Sequence, residues 1–430
     1  MVALIKTLQV ILALSILIFI HELGHYFWAR IFGIKVEKFY LFFDFGGKKI
    51  ASWKWGETEF GIGWFPLGGY CKIAGMVDES MDMEQLKRDP QPWEFRTKSA
   101  PKRLMVMAGG VLNNFLFAIL VFILIMGIWG EAYIPAKGTK IHASELAVEM
   151  GFRTGDEILG LDGSLPESFG MLHSELARRN VKVAEVLRGT DTLDLYMDHS
   201  LMSEVLSCPM LFDIAIPFVV DSVSTPENSA LVRGDRVIAF GGREIEYLQD
   251  AREVLSGFSG SEIEARVVRG ADTLSVPVRV DTLGRIGVYM KMPEAVVKKY
   301  HGLDAVPAGL RLTGETVSGY LKDLRMLATP STGAYKSVGS FIAIGQIFPA
   351  AWDWYQFMYI LALISIMLGV MNLIPIPGLD GGHILFTLYE MITGRKPSDR
   401  FLYIMQIIGM VLLAALMILA FGNDIGRLIH

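Results

Sequence analysis

The chain has 430 residues, a formal net charge of −5 and a hydrophobic content of 52%. Its mean hydropathy of +0.40 is high for a soluble protein, and the apolar residues come in blocks. The weak negative charge argues against a nucleic-acid partner. Cys71 and Cys208 are the only cysteines and lack zinc-site spacing. Because we place them on opposite sides of a membrane, a disulfide framework is excluded.

Four apolar windows are long enough to cross a bilayer. They cover residues 3–27, 104–129, 354–371 and 401–421. The first window lacks a clear small-residue cleavage site for a signal peptidase, so we predict that it is retained. Lysine and arginine are frequent in residues 30–103 and 395–400. The positive-inside rule therefore predicts that these loops are cytoplasmic and that both termini lie on the opposite side.

The first span continues without a break into His21-Glu22-Leu23-Gly24-His25. Two histidines at i and i+4 fall on one face of a helix, close enough to share a metal ion. The glutamate beside the first histidine can then act as base for a metal-bound water. This pattern predicts a zinc pair and a general base at the end of a membrane helix.

The segment 59–74 is too apolar and aromatic for an ordinary solvated loop. Its β-prone residues, with Pro66, Gly68 and Gly69, predict an extended β-hairpin. Non-helical backbone at membrane depth is tolerated only where protein buries it or where it lines a wet cavity, which favours a re-entrant loop beside an active site. The alternative is an interfacial loop anchored by Trp53, Trp55 and Trp64.

An internal repeat lies between the second and third spans. Residues 153–159 are echoed by residues 232–238, and residues 187–193 return as residues 268–274. Each copy is rich in β-strand residues and has one helical stretch. Both copies resemble PDZ domains, which pair an extended peptide onto a strand edge. The alternative is that the copies are spacers that bind nothing.

Residues 303–328 follow, with apolar side chains at helical spacing among polar ones. This pattern predicts an amphipathic helix along the outer membrane face. Packing against the repeat pair would explain the pattern equally well.

A catalytic zinc takes three protein ligands and keeps one position for water, so the histidine pair needs a third ligand. The best candidate segment is 371–383, MNLIPIPGLDGGH. Pro375 and Pro377 cannot continue a regular helix, so the backbone must unwind there. Asp380 lies in apolar surroundings beside this break, where an unpaired charge is expensive. We predict Asp380 as the third ligand, with His383 as its competitor.

HExxH in the first span together with NxxPxPxLDG at the third closely resembles the site-2 protease family of intramembrane zinc metalloproteases, in its RseP type with two periplasmic PDZ domains. Further stretches that carry the resemblance are Pro66-Leu67-Gly68-Gly69-Tyr70, Lys98-Ser99, Asn114-Phe115 and Asn423-Asp424. One departure is Asp44-Phe45-Gly46, where the family often has Gly-Phe-Gly.

The resemblance implies a multi-pass α-helical membrane protein with four transmembrane helices, a re-entrant β-hairpin and two inserted β-rich PDZ domains. The expected parts are an N-terminal membrane part (1–130), two PDZ domains (131–215 and 216–295), an amphipathic connector (296–353) and a C-terminal membrane part (354–430). The expected location is the bacterial inner membrane, with the PDZ domains and both termini periplasmic. The active site is expected near the cytoplasmic side.

The family's roles transfer by motif. His21, His25 and Asp380 are implied as Zn²⁺ ligands and Glu22 as the general base. The implied substrate-binding residues are Asn372, Pro375, Gly61, Gly63, Pro66, Gly68, Gly69 and Tyr70.

The implied activity is that of a zinc metalloendopeptidase. Its substrates would be single-span membrane proteins, either anti-sigma-factor-like regulators or remnant signal peptides. Further expected partners are the lipid bilayer and peptide or protein ligands of the PDZ domains, with no nucleic acid. The alternative is a catalytically inactive, membrane-anchored PDZ adaptor, which is disfavoured because every expected catalytic position is filled.

Overall fold

The computed structural model describes residues 2–66, 68–76, 89–178, 181–201, 204–205, 208, 210–327 and 341–429. Leu67, within the segment that we predict to present substrate, lies outside these residues. The chain divides into two compact units. The membrane unit comprises Met1–Gly130 and Lys299–His430, and the β-rich unit comprises Glu131–Lys298.

The membrane unit begins with helix α1 (Val2–Ile31), and its second long helix is α2 (Ala100–Ile128). Both helices are apolar along most of their length, and the proline in the first turn of α2 replaces an N–H that would have no helical partner. Gly24 of α1 and Gly109 of α2 face each other. A Cβ added to Gly109 would lie 2.7 Å from the Gly24 carbonyl oxygen, so the two backbones approach closely only because both residues lack side chains.

The chain between α1 and α2 forms a four-stranded sheet of β1 (Val36–Leu41), β2 (Lys49–Trp55), β3 (Thr58–Gly63) and β4 (Tyr70–Ile73). The strand order is β2-β3-β1-β4, with β1 and β3 parallel and the other pairs antiparallel. The hairpin predicted within residues 59–74 is therefore wrong, because β1 separates β3 from β4. The hairpin is instead β2–β3, since Gly56 with its positive φ of 61° closes a tight turn there.

The β-rich unit contains the two copies of the repeat. The chain enters this unit through β5 (Glu131–Tyr133). The first copy then contains β6 (Ile141–Ala143), α3 (Glu145–Glu149), β7 (Glu157–Leu161), α4 (Leu172–Arg178), β8 (Val183–Arg188), β9 (Asp191–Tyr196) and β10 (Phe212–Ile214). The second copy holds β11 (Val220–Val223), β12 (Arg236–Phe240), β13 (Arg243–Glu244), α5 (Leu248–Ser256), β14 (Glu262–Arg269), β15 (Asp272–Arg279) and β16 (Val288–Met290). Each copy has its own hydrophobic cluster.

The repeated Gly-Asp turn and the repeated arginine form the same buried pair in both copies. Asp156 is 1% exposed and accepts two hydrogen bonds of 2.8 Å from Arg188. Asp235 is fully buried and accepts two of 2.7 Å from Arg269. Each carboxylate also accepts a backbone N–H three residues earlier in its turn. The repeated residues therefore form the same structural feature in both copies, a bidentate aspartate–arginine pair that fixes a turn to a strand.

The β-rich unit ends with β17 (Val296–Lys298), which pairs antiparallel with β5. Glu131 lies opposite Lys298, and Tyr133 lies opposite Val296. The first and last residues of this unit are therefore neighbours in space.

The membrane unit resumes with α6 (Ala305–Leu327), α7 (Phe341–Ile347), α8 (Trp354–Leu373), α9 (Asp380–Thr393) and α10 (Asp399–Ile429). Leu312, Val317 and Leu324 of α6 pack on the hydrophobic cluster that α2 and α8 share, which accounts for the amphipathic pattern. Among the described residues, four helices are long and apolar enough to cross a membrane, namely α1, α2, α8 and α10. Helix α8 ends at Leu373, and residues 374–379 are not helical before α9 begins.

Candidate active site

The unwound segment brings Asp380 to the histidine pair of α1. The Nε2 atoms of His21 and His25 are 3.3 Å apart, and each is 3.3 Å from Oδ2 of Asp380. Zinc bonds to nitrogen and oxygen are about 2.0–2.1 Å long, so two ligand atoms of a tetrahedral site are separated by about 3.3–3.4 Å. The three atoms thus have the spacing of one face of a zinc tetrahedron, with the fourth corner left for water.

The carboxylate of Asp380 supports the same interpretation. Its Oδ2 atom is buried and has no hydrogen bond of good geometry to any residue that the structure describes. Buried polar atoms of folded proteins are normally satisfied, and a cation shared with two imidazoles would satisfy this one. His383 lies on the wall of the same cavity, but the three-residue group close enough to hold a metal contains Asp380 and not His383.

Both imidazole rings are held through their other nitrogen. Nδ1 of His25 is 2.9 Å from the Val106 carbonyl oxygen, to which it donates, so in the neutral ring Nε2 is the nitrogen available to a metal. Nδ1 of His21 is 3.1 Å from the Asn114 side-chain amide. Ser365 of α8 in turn donates to the Asn114 carbonyl oxygen at 2.8 Å. Helix α2 therefore orients both histidines, a role that the resemblance at Asn114-Phe115 did not define.

Gly110 of α2 lies directly against this pair. A Cβ at Gly110 would lie 2.5 Å from Nε2 of His25 and 2.7 Å from Cε1 of His21. A side chain would thus compete for the space that a metal and its ligands need. The sequence alone did not reveal this requirement, because it depends on how α1 and α2 cross.

Glu22 and the triad face one cavity of about 710 Å³. The backbone of Cys71 in β4 hydrogen-bonds the Glu22 carboxylate, so the edge strand of the sheet fixes the predicted base. The cavity wall also includes Asn372, whose amide nitrogen is 3.5 Å from Nε2 of His21. The structure therefore gathers the predicted base, the three predicted ligands and the predicted substrate-binding residue Asn372 around a single space, which further predicted substrate-binding residues also line.

The other predicted substrate-binding residues divide into two groups. Gly68, Gly69 and Tyr70 line the cavity. Four of the predicted substrate-binding residues are described by the structure but do not line the cavity, namely Gly61, Gly63, Pro66 and Pro375. Gly61 is packed against the Tyr40 ring and Gly63 against the Phe43 carbonyl, so neither has room for a side chain. Their contact with substrate stays a prediction.

Sequence reasoning assigned no role to Lys38, Asp44 or Gln406, which also line the cavity. Asp44 accepts from Lys38 at 3.2 Å and from the Tyr70 hydroxyl at 3.0 Å. Burial and the neighbouring Asp44 carboxylate raise the pKa of Tyr70, so the hydroxyl stays protonated as a donor. The available signal was the aspartate at position 44, where the resemblance led us to expect glycine.

Residues 9–416 match the family model described as peptidase family M50, and the chain belongs to this family. It is a membrane zinc metalloendopeptidase of the site-2 protease type. A regulator of sigma E protease from Haemophilus influenzae is 29% identical to it, over 97% of this chain and 98% of the relative. The protein of that name from Salmonella typhi is also 29% identical with the same coverage. A Xylella fastidiosa protein, whose name proposes a zinc metalloprotease, is 30% identical over 96% of this chain and 97% of its own length.

Proposed function

We propose that this protein is an intramembrane endopeptidase of the bacterial inner membrane that cleaves single-span membrane proteins within or near their transmembrane segment. The observation that carries the proposal is the triangle of ligand atoms with 3.3 Å sides. His21 and His25 lie on the membrane-length helix α1, and Asp380 begins α9 just after the break that ends the membrane-length helix α8. A soluble peptidase has no need to place its ligands on such helices. A substrate that is itself a membrane helix explains the arrangement.

Each residue of the site has a part in this chemistry. His21, His25 and Asp380 would hold the zinc ion, which when bound would supply the Lewis acidity that lowers the pKa of a water molecule and polarises a peptide carbonyl. Glu22, fixed by the Cys71 backbone, accepts the proton of the attacking water and passes it to the leaving amine. Asn372 is close enough to the same space to hydrogen-bond the substrate backbone.

A peptide bond within a transmembrane helix is shielded, because its carbonyl is already hydrogen-bonded. The substrate must therefore unwind, and it needs replacement hydrogen bonds in an apolar environment. Strand β4 is an edge strand on the cavity wall, which makes it suitable for pairing with an extended segment. We propose that β4 and the preceding Gly68-Gly69 enter the membrane and present the substrate in this way.

The substrates that we propose are anti-sigma-factor-like regulators or remnant signal peptides. Two similar bacterial proteins carry the name regulator of sigma E protease, which supports the first class. The basic residues of the first and last loops support a cytoplasmic position for the active-site end of α1. The repeat copies of the β-rich unit are then periplasmic PDZ domains, which screen substrates by the size of their outer parts.

The experiment that tests the proposal uses Glu22→Gln in the full-length protein. We expect this variant to keep its zinc, measured by metal analysis, and to lose cleavage of a single-span membrane substrate by at least about 100-fold, as for removal of a general base. Glu57→Gln, at an exposed glutamate of the same unit, is the matched control and should cleave normally. Normal cleavage by the Glu22→Gln protein would show the mechanism to be wrong. It would also leave the inactive-adaptor alternative excluded.

A further inference from the structure

A buried ion pair joins α2 to α9 away from the metal triad. Arg103 of α2 and Glu390 of α9 are in contact between Nη2 and Oε1 at 2.5 Å, with side chains only 8% and 17% exposed. The pair is separated by 287 positions in the chain. Charged groups are removed from water only at considerable cost, so such a pair requires an explanation.

Two further contacts hold the Arg103 guanidinium. Its Nε donates to the Lys98 carbonyl oxygen at 3.1 Å, and its guanidinium lies 6.0 Å from the centre of the Phe95 ring. A second contact reinforces the connection, because Lys396, just beyond α9, donates to the Arg96 carbonyl oxygen at 3.2 Å. The end of α9 is thus fastened to the start of α2.

The face of α2 that carries Arg103 also carries the groups that position the histidines. Gly110 and Asn114 follow Arg103 by seven and eleven positions, which is close to two and three helical turns. Gly110 lies against both imidazoles, and Asn114 contacts Nδ1 of His21. One face of α2 therefore touches the histidine pair at one end and α9 at the other.

Helix α9 carries the third ligand at its opposite end. Asp380 is its first residue, and Glu390 follows ten positions later, which corresponds to about 15 Å of helix. Arg103 and Asn114 are separated by about 16 Å along α2 by the same measure. The two helices thus run antiparallel over a matched length, with the ion pair at one end and the metal ligands at the other.

We propose that Arg103 and Glu390 are positioning residues that set the register of α9 along α2 and so hold the Asp380 carboxylate at the metal site. A slip of α9 by one residue would move Asp380 by about 1.5 Å. Metal–ligand distances tolerate deviations of only about 0.2 Å, so the slip would remove the third ligand. The inference rests on the proposed metal site, but not on the role of Glu22 in cleavage.

The test measures metal affinity in the full-length protein, by competition with a chelator and by the absorption bands of Co²⁺ as a probe of ligand geometry. We expect Glu390→Gln to lower zinc affinity about 10- to 100-fold, as changes behind metal ligands do. Arg30→Met, at an exposed arginine of the same unit, is the control and should bind zinc normally.

The decisive variant is the double substitution Arg103→Met with Glu390→Leu, which removes both charges and keeps apolar volume. Such replacements are often neutral or stabilising for folding. If the pair sets the register, this protein keeps its thermal stability without metal, yet its zinc affinity stays at least about 10-fold low and its Co²⁺ bands change. If the pair only stabilises the fold, the double variant binds zinc with wild-type affinity and has wild-type Co²⁺ bands, and that result would overturn the proposal.

Discussion

At the level of single residues, the metal cluster depends on the absence of a side chain at Gly110. The hydrogen at this position leaves room for two imidazoles that would otherwise be 2.5–2.7 Å from a methyl carbon. That separation is far below van der Waals contact, and the neighbouring groups are rings held at Nδ1 rather than flexible chain ends. The rings would have to move.

We therefore expect Gly110→Ala to lower zinc affinity by at least about 10-fold, since ligand distances tolerate only small shifts. The matched control is Gly127→Ala on the same helix, where the new methyl carbon would meet Ala305 at an ordinary 3.7 Å. Zinc titration of the two purified variants compares them directly. Wild-type affinity in Gly110→Ala would mean that the rings do not need this space.

The identity of the third ligand is a separate prediction. Asp380→Ala should lose bound zinc, because it removes one of three ligand atoms. His383→Ala should keep it, since this residue lies on the cavity wall outside the triad. Metal analysis of both variants decides between them. Full zinc content in the aspartate variant would reject Asp380 as the ligand.

Some residues of the site were predictable from sequence and others were not, for a physical reason. His21, Glu22 and His25 are neighbours on one helix, so their spacing alone places them together. Asp380 was identified because an acidic residue beside two prolines in an apolar segment needs a partner. The resemblance singled out Asn114 without giving it a role, and Gly110 has no local signal for its role, since both roles arise only from the crossing of α1 and α2.

At the level of elements, each copy of the repeat in the β-rich unit is fastened by one aspartate–arginine pair. In the second copy, the Arg269 guanidinium lowers the pKa of Asp235 below its usual range, against the opposing effect of burial. A carboxylate with a depressed folded-state pKa stabilises the protein above its unfolded pKa of about 3.9. This stabilisation is lost as the pH falls toward the folded-state value.

Asp235→Asn should therefore destabilise the second copy by roughly 1–3 kcal/mol at neutral pH, the range for a buried charged hydrogen bond. Hydrogen-exchange protection factors of β12 and β14, corrected for intrinsic rates, measure this loss. The difference from the wild type should begin to shrink below about pH 4, where the Asp235 carboxylate of the unfolded state takes up a proton, and it should vanish as the pH falls through the lower folded-state pKa. Asp221→Asn serves as control and should leave protection unchanged, because the ion pair of Asp221 with Arg233 is exposed.

The elements themselves were largely foreseen, whereas their order in the sheet was not. Long apolar runs predicted the four membrane-length helices, and two prolines predicted the break after α8. The predicted hairpin within residues 59–74 was wrong because β1, which directly follows α1 in the chain, lies between β3 and β4 in the sheet. Nothing in the alternation of residues 59–74 signals that a distant strand occupies this position. A short loop favours pairing between the two strands that it joins. Here β3 pairs in parallel with β1 instead of with β4.

At the level of the whole molecule, the β-rich unit is an insertion with adjacent ends. Glu131 and Lys298 are paired residues of β5 and β17, and such pairs have Cα atoms only about 4.5–5.5 Å apart. Residues 130 and 299 can therefore be joined by a short glycine–serine linker. Insertions with neighbouring termini are typical of units that fold independently.

We expect a protein lacking residues 131–298 to keep its zinc. It should cleave substrates whose outer domain is still folded at least about 10-fold faster than the full-length protein does, because the proposed screening unit is gone. Cleavage of a substrate without an outer domain should change little, and it serves as the internal control. If the shortened protein still discriminates between the two substrates, the screening role is wrong.

The long separation of the ligands along the chain also has a consequence for biosynthesis. His25 is in the first helix, and Asp380 follows 355 positions later, at the start of α9. At about 5–20 residues per second, roughly 20–70 s of synthesis separate the two. During that time α1 can enter the membrane while only two of the three metal ligands have been synthesised. The nascent chain thus cannot assemble a complete peptidase centre until almost all of it has left the ribosome.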